Sequence, residues 1–147
     1  MQKTIKEANN KFEQGFNCAQ AVFASYAPSL GLPGETALKI AAPFGGGIGR
    51  LGGVCGAVSG AMMVIGLKYG NTQADNAENK ETNYNLARQF TERFNERHGT
   101  ILCRQLLEID ISDPEILQLA HQKGVFHTRC PEYVKTAAQI LAQMLEE

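Results

Sequence analysis

Cys18, Cys55, Cys103 and Cys130 are the residues of this chain whose type offers the most chemistry. Local sequence places each of them in the first turn of a helix. Asn17 precedes Cys18 and is followed three positions later by Gln20, a capping box, with Gly15 interrupting the helix before it. Cys55 follows the run Gly45-Gly46-Gly47-Ile48-Gly49-Arg50-Leu51-Gly52-Gly53 and opens an apolar segment. Thr100 can cap a turn whose third residue is Cys103, and Cys130 is followed by Pro131 and Glu132, which suit a first helical turn. The first N–H groups of a helix are unpaired and its dipoles align there, so negative charge is favoured. A thiol so placed loses its proton more easily, and the thiolate is the form that attacks, oxidises or binds metal. Arg50, Arg104 and Arg129 add nearby cations that favour the thiolate. Cys55, flanked by glycines that leave its sulfur approachable, is the expected attacker.

The cysteines are separated by 37, 48 and 27 residues, so no C-x-x-C pair exists. A zinc knuckle, a thioredoxin-type motif and C-x-x-C-H haem attachment are thereby excluded. Any shared centre must be assembled by the fold, one sulfur per helix start. The competing reading is that free cysteines are small hydrophobes and simply buried.

Other candidates carry less. Gly47-Ile48-Gly49-Arg50-Leu51-Gly52 satisfies G-x-G-x-x-G, but the segment before it is broken by Pro43 and no βαβ unit surrounds it. The glycines are better read as allowing close backbone approach, with exposed N–H groups forming an anion-friendly concavity. Of His98, His121 and His127, only His127 lies near a cysteine, three residues before Cys130, where it can join a metal shell. Ser59 lacks the frame of a nucleophile elbow.

The elements that must position these residues read as helices throughout. Apolar spacing predicts helical segments over about 2–14, 18–26, 35–42, 54–69, 75–98, 103–108, 113–123 and 130–145, those at 35–42 and 103–108 short. No alternating strand pattern, repeat or linker divides the chain. The expectation is an all-α protein of five to seven helices in a single four-cysteine domain spanning 1–147.

A formal net charge of -1 without a basic stripe gives nucleic acid no footprint. The polar N-terminal residues lead into no apolar export segment, so a cytoplasmic location is expected. Structural disulfides seldom persist there. Residues 51–67 are uncharged, but they are rich in small side chains and no second apolar segment accompanies them, so a buried helix is expected rather than a membrane span. Gly52, Gly56 and Gly60 recur every fourth residue and make a smooth ridge for another helix, from this chain or from a second copy in a homodimer.

Cys55-Gly56-Ala57-Val58-Ser59-Gly60, together with Phe16-Asn17-Cys18-Ala19-Gln20-Ala21-Val22, Cys103 and Cys130, resembles the redox-active family labelled by the pattern C…GCAxxG…C…C. The likeness runs over essentially the whole chain, with four cysteines in the same order. It implies a redox role. A related region in split-Soret-type cytochromes is associated with an iron–sulfur centre, so the resemblance also admits a cluster, whereas covalent haem does not carry over. Two functions follow. In one, Cys18, Cys55, Cys103 and Cys130 act catalytically in thiol/disulfide exchange or electron transfer, with a redox partner protein or a small thiol or oxidant. In the other, the same four residues ligate an iron–sulfur cluster or zinc in a non-catalytic electron carrier or sensor.

Overall fold

The computed structural model describes residues 2–146. Eight α-helices are present among them: α1 Gln2–Glu13, α2 Cys18–Tyr26, α3 Gly34–Ala41, α4 Gly56–Tyr69, α5 Ala77–His98, α6 Cys103–Leu107, α7 Pro114–Gln122 and α8 Val125–Glu146. Short 3-10 turns over Ala27–Leu30 and Ala42–Phe44 follow α2 and α3. The all-α expectation holds, with one helix more than the expected upper number.

Helix α2 occupies the centre, and α4, α1 and α3 pack around it. Its composition makes that possible. Ala19, Ala21, Ala24 and Ser25 are all buried and short, so neighbouring backbones come close, while Val22, Phe23 and Tyr26 fill the larger gaps. The two buried polar groups of α2 are satisfied: Ser25 Oγ donates to the Ala21 carbonyl at 2.7 Å, and Tyr26 Oη donates to the Ala138 carbonyl at 2.8 Å. The second bond ties α2 to α8.

Helix α4 carries no charge before Lys68, and it is largely buried up to Ile65, with Gly66, Leu67 and Lys68 exposed at its end. No helix among the described residues is long and apolar enough to cross a membrane. The glycine ridge is shorter than its sequence period suggests, because Gly52 lies in the loop before α4. Gly56 and Gly60 face α2: a Cβ at Gly60 would sit 2.7 Å from the Ala19 carbonyl oxygen, and one at Gly56 would sit 3.1 Å from Cys18 Cβ. The ridge is therefore used inside the chain, at the α2–α4 crossing, and is closed to a second copy.

Boundary differences have local causes. Helix α5 starts at Ala77 because Asn76 caps it, its side chain accepting from the Asn79 N–H at 3.1 Å. The larger departure is α8, which starts at Val125, just after Gly124 at φ 68°. Pro131 was expected at its first position but stands inside it. A proline there forfeits one backbone bond, and the helix runs through because so much of its later length is buried.

Candidate functional site: a four-thiol cavity

Three separate devices bring the cysteines together. The first is the capping box. Asn17 Oδ1 accepts from the Gln20 N–H at 2.9 Å and Gln20 Oε1 accepts from the Asn17 N–H at 3.0 Å. The two amide groups then donate to the Ala42 and Leu38 carbonyls, so the cap also fixes the α3 end against the start of α2. Cys18 is the first residue of α2, where the sequence placed it.

The second device is a single antiparallel bridge between Val54 and Leu102. The Cys55 N–H donates to the Ile101 carbonyl and the Cys103 N–H donates to the Gly53 carbonyl, each at 2.7 Å. Two cysteines 48 positions apart thus flank one pair of bridged residues. Cys55 is the residue before α4 and Cys103 the first of α6. Thr100 does not cap α6 itself; Leu102 takes that position, and the Thr100 hydroxyl accepts from the Leu102 N–H at 3.1 Å.

The third device joins α6 to α8. Arg129 Nη2 and Tyr133 Oη both donate to the Leu106 carbonyl, at 2.6 and 3.0 Å, and Arg129 also pairs with Glu108 at 3.7 Å. This places Cys130 on the same cavity as the other three. The expectation that Cys130 lies in a first helical turn is corrected: it is in the second turn of α8, beyond the reach of that helix's N-terminal dipole.

All four thiols line one cavity of about 550 Å³. None is in a disulfide. Cys55, Cys103 and Cys130 are only 4%, 8% and 7% exposed, while Cys18 keeps some surface although its sulfur lies deep among the others. The approachable sulfur expected at Cys55 is not found, since that residue is almost fully buried.

Burial changes the proton chemistry. It pushes the Cys55 thiol up to about 12, against the opposing pull of the Ala57 and Val58 N–H groups at the start of α4. Burial likewise raises Cys103 to about 11, with the Cys130 charge adding to the effect. Cys18 and Cys130 behave as a pair. The interaction between their side chains raises Cys18 and lowers Cys130; burial raises both, and the Arg129 guanidinium lowers Cys130 further. Of the four thiols, Cys130 is therefore the one whose pKa is drawn down rather than up.

The raised values give the reduced protein a defined alkaline limit. A thiol held neutral by folding contributes stability that is complete below its unfolded value of roughly 8.5. That contribution is lost as pH rises toward the folded value, about 12 for Cys55. Denaturant midpoints of fully reduced protein are expected to fall steadily from pH 8 to pH 11, and Cys55→Ala should flatten that fall. A flat profile in the unsubstituted protein would contradict the burial of these thiols.

His121 and His127 also line the cavity, with the His121 ring 5.0 Å from that of Phe126. His98 does not; its Nε2 lies 2.9 Å from Thr136 Oγ1 and its ring packs on Phe94 and Tyr133. Sequence reasoning missed Phe12, Phe16, Phe126 and Tyr133 as cavity walls. Their helical spacing is that of ordinary core residues, and only the fold shows that they border open space.

Among the described residues, no group of three or more His, Cys, Asp or Glu side chains is gathered as a ready-made single-ion site. The four thiols on one cavity are the donors that a sulfur-ligated cluster would use.

The loop that closes one side of the cavity has an uncommon backbone. Gly46, Gly47, Ile48, Gly49 and Arg50 are consecutive left-handed residues with φ between 55° and 70°. For Ile48 and Arg50 this costs about 1–2 kcal/mol each. The loop is tied to itself by Gly49 N–H to Pro43 carbonyl and Gly53 N–H to Gly47 carbonyl bonds, both 2.9 Å. A Cβ at Gly47 would lie 2.5 Å from the Gly53 nitrogen, so the G-x-G-x-x-G pattern serves this tight fold.

No curated protein and no solved structure matches the chain. A family model described as "Putative redox-active protein (C_GCAxxG_C_C)" matches residues 16–144, a span that takes in all four cysteines. The chain belongs to the C_GCAxxG_C_C redox-active family.

Proposed function

We propose that this protein is a single-domain cytoplasmic thiol/disulfide redox protein in which Cys130 attacks and Cys18 resolves. The observation that supports the reading is that Cys18 and Cys130 line one cavity and interact there, Cys130 being the one thiol of the four whose pKa falls. The Cys130 thiolate attacks one sulfur of a substrate disulfide, forming a mixed disulfide and expelling the first thiolate, which takes a proton from water. Cys18 then gives up its proton and attacks the Cys130 sulfur. The second thiol leaves, and a Cys18–Cys130 disulfide remains. The substrate gains two electrons and the pair loses two; an external dithiol, free or on a partner protein, restores them.

Cys55 and Cys103 stand on the same cavity as protonated thiols at neutral pH and provide a second pair. Their presence favours a second reading. The four sulfurs together would hold an iron–sulfur cluster, which would supply one-electron transfer. The residues would contribute ligation, and the apolar walls would exclude water.

The test is disulfide mapping by mass spectrometry after anaerobic treatment of reduced protein with one equivalent of an organic disulfide. A Cys18–Cys130 linkage as the main product is expected, with a stalled Cys130 mixed disulfide in Cys18→Ser. A dominant Cys55–Cys103 linkage, or four unreacted thiols, would overturn the reading. A brown protein with iron and sulfide bound through all four cysteines, inert to disulfides, would establish the second reading instead.

A further inference from the structure

The cavity that exposes the thiols also has a chemical preference. None of its described lining residues is acidic, in a chain that carries 15 Asp and Glu. Its charged and titratable wall consists of Arg50, His121 and His127 besides the cysteines and Tyr133. Arg50 meets no carboxylate among the described residues, whereas Arg97, Arg104 and Arg129 each pair with one. Arg50 is an exposed residue of the cavity lining, its backbone strained at φ 66° in the loop that folds back on itself. Strain of this kind persists only where the surroundings enforce it, and it gathers at ligand-binding sites.

Two further features add to the positive side of the cavity. The starts of α2 and α4 both lie on it, at Cys18 and Gly56. Among the described residues, the N–H groups of Gly46 and Gly47 in the left-handed loop donate to no backbone carbonyl. Apart from Asn17 and glycines, the remaining walls are apolar, Phe12, Phe16, Phe126, Leu106 and Ile111 among them. A volume of about 550 Å³ is that of a small-molecule pocket. With three thiols under a tenth exposed, a disulfide on the surface of a folded protein is too broad to reach them.

We propose that the cavity selects small organic disulfides that carry a carboxylate and an apolar body, with the carboxylate toward Arg50 and the sulfur over Cys130. This rests on the exchange reading above. The reaction is the one already balanced there, with the two halves of the substrate leaving as thiols and Cys18–Cys130 becoming the disulfide.

The probes are 5,5′-dithiobis(2-nitrobenzoate), which is anionic and aromatic, 4,4′-dithiodipyridine, which is neutral, and insulin as a protein disulfide. Second-order rates at pH 7 are normalised to those of free cysteine. The anionic-to-neutral ratio is expected to exceed that of free cysteine about tenfold, to shrink with rising salt, and to fall about fivefold in Arg50→Gln. Arg50→Lys should keep most of it. The salt dependence is measured on unsubstituted protein, so a misfolded variant does not spare the proposal. A normalised ratio near one, or insulin reacting faster than both small probes, would overturn it. If the neutral probe still yields the Cys18–Cys130 linkage in that case, only the anion preference has failed. If no probe yields it, the exchange reading has failed as well.

Discussion

Gly60→Val is expected to lower the unfolding free energy by about 3 kcal/mol or more, and to loosen the thiol cavity in whatever fraction still folds. The cause is backbone against backbone. A Cβ at position 60 would lie 2.7 Å from the Ala19 carbonyl oxygen and 3.2 Å from both Ala19 Cα and Val22 Cβ. None of those atoms is the end of a flexible chain, so α2 and α4 would have to move apart. Cys18 starts α2 and Cys55 immediately precedes α4, so their separation grows with that movement. Gly66 gives the internal control. It lies in the same helix, yet nothing would come within 4 Å of a Cβ there. Gly66→Ala should therefore stabilise by about 0.5–1 kcal/mol through helix propensity. Equal effects of the two substitutions, read from denaturant unfolding, would mean that the α2–α4 crossing is not the tight contact described.

The contrast shows which parts of the molecule its sequence made legible. Helix α2 was readable to the residue because its stop and start signals are local: Asn17 with Gln20 at one end and Pro28 just past the other. The all-α class was readable for the same reason, as 3.6-residue periodicity recurs through the chain. The Val54–Leu102 bridge was not. One residue on each side makes no alternating pattern, and the pairing spans a sequence distance no local signal covers. Yet that bridge sets Cys55 beside Cys103.

Helix α8 misled the reading in a different way. Cys130-Pro131-Glu132 has the composition of a helix start, but buried residues beyond the proline, such as Tyr133, Val134 and Leu141, hold the helix as it runs through. The convergence of the sulfurs was anticipated; their proton chemistry was not. Helix-start N–H groups do act on Cys55, but the cost of burying a charge exceeds them, and the balance is a neutral thiol. Only a sulfur with a thiol donor and a guanidinium beside it escapes that outcome.

Cys130 should accordingly alkylate with iodoacetamide at lower pH than any other thiol of the protein. Site-resolved mass spectrometry across pH 5–10 reads the profile. The sign follows from its depressed pKa: the thiolate is present above the folded value and lost as pH falls through it. Its contribution to stability runs the same way, opposite to that of Cys55, whose neutral form is lost at high pH. Cys18→Ala removes the side chain that lowers Cys130, so the Cys130 profile should move toward higher pH. Its rate at pH 7 should then drop about tenfold, the worth of one charge-assisted hydrogen bond of about 1.5 kcal/mol. Cys18→Ser keeps a hydroxyl donor at the same place and should recover most of that rate. Arg129→Gln should cost less, because the guanidinium's charge is shared with Glu108 and its hydrogen bond goes to the Leu106 carbonyl. The order of the three variants decides the assignment. If Arg129→Gln slows Cys130 more than Cys18→Ala does, the thiolate is held by the arginine alone. Cys18 would then lose its claim to be the partner that closes the disulfide.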